Sequence, residues 1–253
     1  MEFLSNDGRR LATLADWRDH GGPVSAKQWV EGGSARELAR AWIELDAAAR
    51  VTALLTTVPA FAGLILDRGI AEKETRFDDI RGGPRHHDLL VVGAAPSGPV
   101  VIGVEGKADE PFDERLDVWV TRAVASERSR APERLDRLTT AFFGTTLDDD
   151  PLLAPLRYQL LSGLAGTLAD ARERGARQAV LLVHEFETPW TDDERHRRNA
   201  DDLEAFVGRL MPAAERTGDE RAWIAGPGVL AGDGTWLPES ADVYVAKLAT
   251  STR

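Results

Sequence analysis

The sequence predicts an α/β fold: a mixed central β-sheet flanked by helices, with further elements added at the C-terminal end. Three observations predict it. Two β-rich runs, Asp88-Leu-Leu-Val-Val-Gly93 and Val100-Val-Ile-Gly-Val-Glu105, flank Ala94-Ala-Pro-Ser-Gly-Pro99, whose Pro and Gly content makes it a loop. Stretches of helical spacing lie on both sides of that pair. A short apolar run, Ala179-Val-Leu-Leu-Val183, follows the helical stretches and suits a buried strand.

Taken in order, Ser34-x-x-Glu37 is a capping-box signal, and Leu38, Ala41, Trp42 and Leu45 then recur at helical spacing. A second apolar helix is predicted over about 48–57, before Pro59, and a short strand over 72–77. The 88–105 hairpin comes next. A helix from about Asp113 puts Leu116, Trp119, Val120 and Ala123 on one face, and Pro132 ends or kinks it. Leu135, Leu138 and Phe142 continue a helical pattern. Asp148-Asp149-Asp150-Pro151 suits a helix start, with acids at the positive end of the dipole. Beyond it Leu156, Leu160, Gly163, Leu164, Thr167 and Leu168 form a helix that Gly175 stops. After the 179–183 strand, a helix over 193–211 and strands near 221–225 and 242–248 complete the order.

Composition narrows the chemistry. The 253 residues contain no cysteine, which excludes disulfides, thiolate metal sites and thiol nucleophiles. No apolar run reaches the ~20 residues that span a bilayer; the longest, 51–66, is broken by Pro59 and Gly63. The first residues, MEFLSNDGRR, lack a signal-peptide pattern, so the expectation is a cytoplasmic protein without membrane partners. The net charge of -11 opposes a broad electrostatic grip on nucleic acid but leaves room for a small basic cleft. Lysine is scarce, confined to Lys27, Lys73, Lys107 and Lys247, so a lysine here is less readily surface filler.

The hairpin assembles the candidate site. If its loop is centred between Pro96 and Ser97, paired residue numbers sum to 193 and Asp88 lies opposite Glu105. Leu89 then pairs with Val104 and Val91 with Ile102, leaving one face wholly apolar and the other carrying Asp88, Glu105 and Lys107 beside Gly103. A one-residue slip would mix the faces. Opposed residues have Cβ atoms ~4.5–5.5 Å apart, so two carboxylates there call for a cation between them. Mg²⁺, with Mn²⁺ as the alternative ion, takes hard oxygen ligands and keeps several waters. Lys107 adds positive charge, and an exposed Gly106 would leave its carbonyl free to approach the ion.

Asp88, then Glu105-Gly106-Lys107 at the end of the next strand, then a helix, resembles the PD-(D/E)xK nuclease-like (restriction-endonuclease-like) superfamily, and in particular its uncharacterised bacterial members. The resemblance implies a core of a helix, three strands, a helix and a strand, supplied by 34–186, within one domain over 1–253 elaborated at 187–253. It implies metal ligation by Asp88, Glu105 and the Gly106 carbonyl, and a catalytic Lys107 supporting the attacking water. Many such families carry a Gln or Tyr on the later helix; Arg157-Tyr158-Gln159 offers Gln159. The residue before Asp88 is His87, where the motif's name has proline.

Each feature has a plainer alternative. Glu-x-Lys also describes a strand end with a surface ion pair worth ~0–1 kcal/mol. Gln159 lies in an apolar stripe and equally suits a satisfied core amide. Glu37 and Glu44 lie along one side of the first helix, where some members of the resembled superfamily place another metal carboxylate; capping explains Glu37 instead, and a solvated position Glu44. His86 and His87 read as a solvated loop pair that could reach a phosphate or metal. His184-Glu185 lacks a second histidine at 188 and reads as strand, not as a zinc-protease motif. Arg122, Arg128, Arg130, Arg134 and Arg137 are interleaved with acids and read as a salt-bridged face; Arg195, Arg197 and Arg198 form a second cluster. The expected function is Mg²⁺-dependent phosphodiester hydrolysis on nucleic acid. The alternatives are a smaller phosphate substrate, or a non-catalytic protein- or ligand-binding module on the same fold.

Overall fold

A computed structural model describes residues 1–22, 29–80, 83–125, 129–230 and 241–251. In chain order the elements are β1 (Glu2–Leu4), α1 (Leu14–His20), α2 (Ser34–Ile43), α3 (Ala47–Leu55), β2 (Ile65–Thr75), β3 (Arg85–Ala95), β4 (Gly98–Lys107), α4 (Leu116–Val124), α5 (Ala131–Phe143), α6 (Tyr158–Glu173), β5 (Gln178–Glu187), α7 (Asp193–Leu210), β6 (Arg216–Gly218), β7 (Ala222–Leu230) and β8 (Ala241–Ser251). Among the described residues, then, seven α-helices accompany one eight-stranded mixed sheet of order β1-β2-β3-β4-β5-β8-β7-β6. β4, β5 and β8 run parallel at its centre. No described helix is long and apolar enough to cross a membrane.

Each face of the sheet has its own core. Trp17, Leu38, Trp42, Val51 and Leu55 of α1–α3 pack on one side against Leu89, Val91, Ile102, Val104, Val180 and Leu182. Leu116, Leu138, Leu161, Leu164 and Phe206 of α4–α7 pack on the other against Leu90, Val101, Leu181, Val183 and Val245. β5 is covered on both faces, which is why its stretch 179–183 is continuously apolar rather than alternating.

The hairpin register is the expected one: Leu89 pairs with Val104, Val91 with Ile102 and Ala95 with Gly98. Both strands run longer than composition suggested, so the loop shrinks to Pro96-Ser97. Several local expectations are corrected. Ser34 is the first helical residue rather than the cap, and its hydroxyl donates to Glu110 at 3.0 Å. Pro132 opens α5 instead of ending a helix, because a first-turn residue needs no N–H partner. Asp150 caps only a single 3₁₀ turn, Pro151–Leu153, and the long helix waits until Tyr158. The strand expected over 72–77 is the end of the longer β2. Arg128, like Lys27, lies outside the described residues.

One glycine sets how closely α6 approaches the sheet. A Cβ on Gly103 would stand 2.0 Å from Thr167 Oγ1 and 3.1 Å from His87 Nδ1. Gly103→Ala is therefore expected to destabilise the fold by about 1–3 kcal/mol, as overpacking does. Adding Thr167→Ala should recover most of the loss in urea unfolding; a single substitution without effect would show that α6 can stand off.

Candidate active site

β4 carries Glu105 and Lys107 on the face that α6 covers. Both are buried, with 3% and 6% of their surface exposed. A buried carboxylate needs partners, and Glu105 has three. Lys107 Nζ donates to its Oε1 at 3.0 Å, Gln159 Nε2 donates to the same oxygen, and Arg85 Nη2 holds Oε2. Burial alone would raise the Glu105 pKa, but the charges of Lys107 and Arg85 outweigh it and leave the carboxyl below its usual range. Lys107 is further fixed over the Phe112 ring, 5.3 Å from its centroid.

Asp88 is brought to the same end of the sheet by a different route. The β3–β4 ladder stops at Leu89 and Val104. One step on, Asp88 Oδ2 accepts from the Gly106 N–H at 2.8 Å. Gly106 is not exposed as expected: it is buried, and a Cβ there would meet Leu38 of α2 at 3.5 Å and Asp88 Oδ2 at 3.6 Å. The Asp88 carboxylate thus sits at the sheet end between the layers, around Gly106, while Glu105 faces α6.

Strand alternation explains the difference. Leu89 belongs to the α1–α3 core, so His87, two residues earlier, should share that side. Instead a Cβ on Gly166 of α6 would lie 2.6 Å from His87 Nε2. The strand changes sides at Asp88. Its neighbour on β2 changes with it: Ala71 pairs with Leu89 and Lys73 with His87, and the residue between them, Glu72, has φ of +48°. Glu72, Asp88 and Glu105 consequently lie at one level on three adjacent strands. Burial, then the Glu105 charge, pushes Asp88 up to about 8; the same two causes push Glu72 up to about 7.

Sequence reasoning brought together Asp88, Glu105, Gly106, Lys107 and Gln159, and all five meet here. It missed Glu72 and Arg85. Glu72 had a signal, since carrying the register one strand further puts it opposite Asp88; Arg85 had none beyond its place three residues before Asp88. The other candidates lie elsewhere. Glu37 accepts from the Gly32 N–H at 3.1 Å, and Glu44 is exposed. His87 is no solvated loop residue but a buried strand residue, while His86 is exposed. His184 is a core residue, accepting from Trp42 Nε1 at 3.2 Å. Arg130 and Arg137 pair with Glu133, and Arg122 with Glu114, as a salt-bridged surface. Arg134 differs: it forks onto Asp78 at 2.7 and 2.9 Å beside a cleft of about 390 Å³.

The described fold and site define an α/β chain with a buried acid–lysine cluster at the end of its central hairpin. The chain belongs to the family described as a domain of unknown function, DUF6946, whose model matches residues 10–226. No curated protein and no solved structure matches it.

Proposed function

We propose that the chain is a Mg²⁺-dependent phosphodiester hydrolase of the PD-(D/E)xK nuclease-like class. The observation that carries this reading is the meeting of Asp88, Glu105 and Lys107 at one strand end, with Asp88 pushed up to about 8 partly by the Glu105 charge. Glu105 is held ionised by Lys107 and Arg85 while Asp88 beside it resists ionising, and a divalent cation would favour the ionised form of both. The element order supports a restriction-endonuclease-like core: α2, then β2–β4, then α6, then β5 parallel to β4.

The site offers the ion two carboxylates, Asp88 and Glu105, whose oxygens are partly engaged by the chain's own donors. Among the described residues no group of three or more His, Asp or Glu side chains is placed to hold a metal. Mg²⁺ needs fewer, since it is commonly bound through one or two carboxylates with water and substrate phosphate oxygens completing its shell. Asp88 and Glu105 would hold it, with the Gly106 carbonyl as a further oxygen. When bound, it would supply charge stabilisation at the phosphoryl oxygens and acidify a coordinated water. Lys107, hydrogen-bonded to Glu105 and confined by Phe112, orients the water or neutralises charge developing on phosphorus oxygens. Gln159 and Arg85 position the Glu105 carboxylate.

A second reading, a non-catalytic binding module, is favoured by one observation: both Glu105 oxygens are already engaged by the chain's own donors. A cleavage assay with Mg²⁺ or Mn²⁺ on single- and double-stranded DNA and RNA decides between them. Lys107→Ala should lower the rate about 10²- to 10³-fold, the scale of losing one charge-stabilising donor. Unchanged cleavage in the variant removes Lys107 from the chemistry, and no cleavage of any substrate by the wild type favours the module.

A further inference from the structure

The cleft beside Glu105 has an aromatic wall that phosphodiester chemistry alone does not require. Phe77, Trp119 and Tyr158 line it together with Arg85, Arg134 and Gln159. Trp119 and Tyr158 stack at 3.8 Å between centroids with planes 14° apart. The pair is held by backbone: Leu116 N–H donates to the Leu156 carbonyl at 2.9 Å and Tyr158 N–H to the Glu114 carbonyl at 3.1 Å, tying the start of α4 to the start of α6. Both rings are only partly buried.

Consecutive residues then join this wall to the site. Tyr158 stacks on Trp119, and Gln159 donates to Glu105. Arg85 likewise lines the cleft and holds Glu105. Exposed His86 adds a further nitrogen at the rim, and Asp113 is the acid that faces the same space.

We propose that this cleft binds one unpaired nucleotide, its base stacked on the Trp119–Tyr158 wall and its phosphate directed toward Arg85 and the Glu105 end. The substrate is then a single-stranded nucleic acid, DNA or RNA, rather than a duplex. The proposal rests on the phosphodiesterase reading for the phosphate's destination, and on three observations for the base. An aromatic face stacks any base. The volume lies in the range of ~300–1,000 Å³ that suits one small ligand. A net charge of -11 opposes a broad electrostatic grip on a duplex, so a grip relying on stacking at one nucleotide fits it better.

The test is read without turnover. A single-stranded hexanucleotide carrying 2-aminopurine is titrated with the full chain in EDTA, beside an abasic version and the matched duplex, in DNA and RNA forms. Stacking should quench the fluorescence, and the abasic strand and duplex should bind more weakly. Trp119→Ala should weaken binding about 5- to 150-fold, the range for one lost base stack, while Trp119→Phe keeps most of it. The Phe variant also guards against simple misfolding. Affinity within twofold of wild type in Trp119→Ala, or a duplex bound as tightly as the single strand, overturns the proposal. Adding Mg²⁺ separates the two readings. Cleavage with a KM untouched by Trp119→Ala sinks the cleft and leaves the hydrolase. Binding that depends on Trp119 without any cleavage supports the cleft and sinks the hydrolase.

Discussion

Glu105→Gln is expected to destabilise the metal-free protein by about 3–5 kcal/mol, the scale for removing one partner of a buried ion pair. Glutamine keeps the shape and one acceptor oxygen but not the charge. Arg85, with 12% of its side chain exposed, and Lys107, with 7%, would then remain buried without the counter-charge they share. An exposed pair provides the control. Arg130 and Glu133 have side chains 48% and 39% exposed, Arg137 pairs with the same carboxylate, and water screens both contacts, so Glu133→Gln should cost far less than Glu105→Gln. Urea unfolding of both variants at neutral pH gives the comparison, provided the slopes with denaturant match. A Glu105→Gln midpoint no lower than that of Glu133→Gln would show that Glu105 is not the electrostatic keystone of its strand end. A second signature should accompany the loss: the Glu105 charge is the second-largest cause of the raised Asp88 and Glu72 pKa values, so both should fall in the variant.

The hairpin was legible because two independent constraints agreed on it. The Pro96-Ser97 turn centre and the segregation of Leu89, Val91, Ile102 and Val104 select one register, which the strands adopt. Lys107 and Glu105 follow, since residues two apart on a regular strand share a side. Asp88 was legible in position but not in direction. Period-two reasoning assumes an unbroken strand, whereas β2 and β3 change sides together at Glu72 and Asp88. No one-strand pattern reports that, because the left-handed residue sits on the neighbouring strand. The helix starts were misread for a related reason. Ser34 and Asp150 carry capping chemistry, but Ser34 is drawn to Glu110 and Asp150 closes only one turn. Such contests between local and tertiary partners are settled by residues 76 positions away, as with Ser34 and Glu110. Arg85 was invisible for the same reason: its pairing with Glu105 depends on where the β3 strand begins.

Asp88→Asn is expected to act in the opposite sense on stability and, on the proposed reading, to remove the response to Mg²⁺. Burial first, and the Glu105 charge second, push the Asp88 carboxyl up to about 8 from its ordinary 3.8. Below about 3.8 both folded and unfolded chains hold this proton, and the group exerts no pH-dependent effect. As pH rises toward 8 the unfolded chain ionises while the folded chain keeps its proton, so stability falls across that window; above 8 the penalty is complete. Glu72, pushed to about 7, acts in the same direction from its own ordinary value of 4.5. Asparagine cannot ionise, and its side-chain oxygen can still accept from the Gly106 N–H. The variant should therefore match wild type only below about pH 4, lead it modestly by pH 5, and exceed it by about 1–3 kcal/mol near pH 8, an order-of-magnitude figure for a carboxylate held in an unfavourable charged environment. Mg²⁺ should reverse the ranking. A cation at Asp88 and Glu105 favours the ionised carboxyl, so binding should release protons and raise the wild-type melting temperature more at pH 8 than at pH 6. Asp88→Asn should show neither response. Thermal melts of both proteins across pH 5–8, with and without millimolar Mg²⁺, read all of this at once. A variant whose advantage does not grow with pH would mean that Asp88 ionises freely. Identical Mg²⁺ responses in the two proteins would place any bound ion away from Asp88.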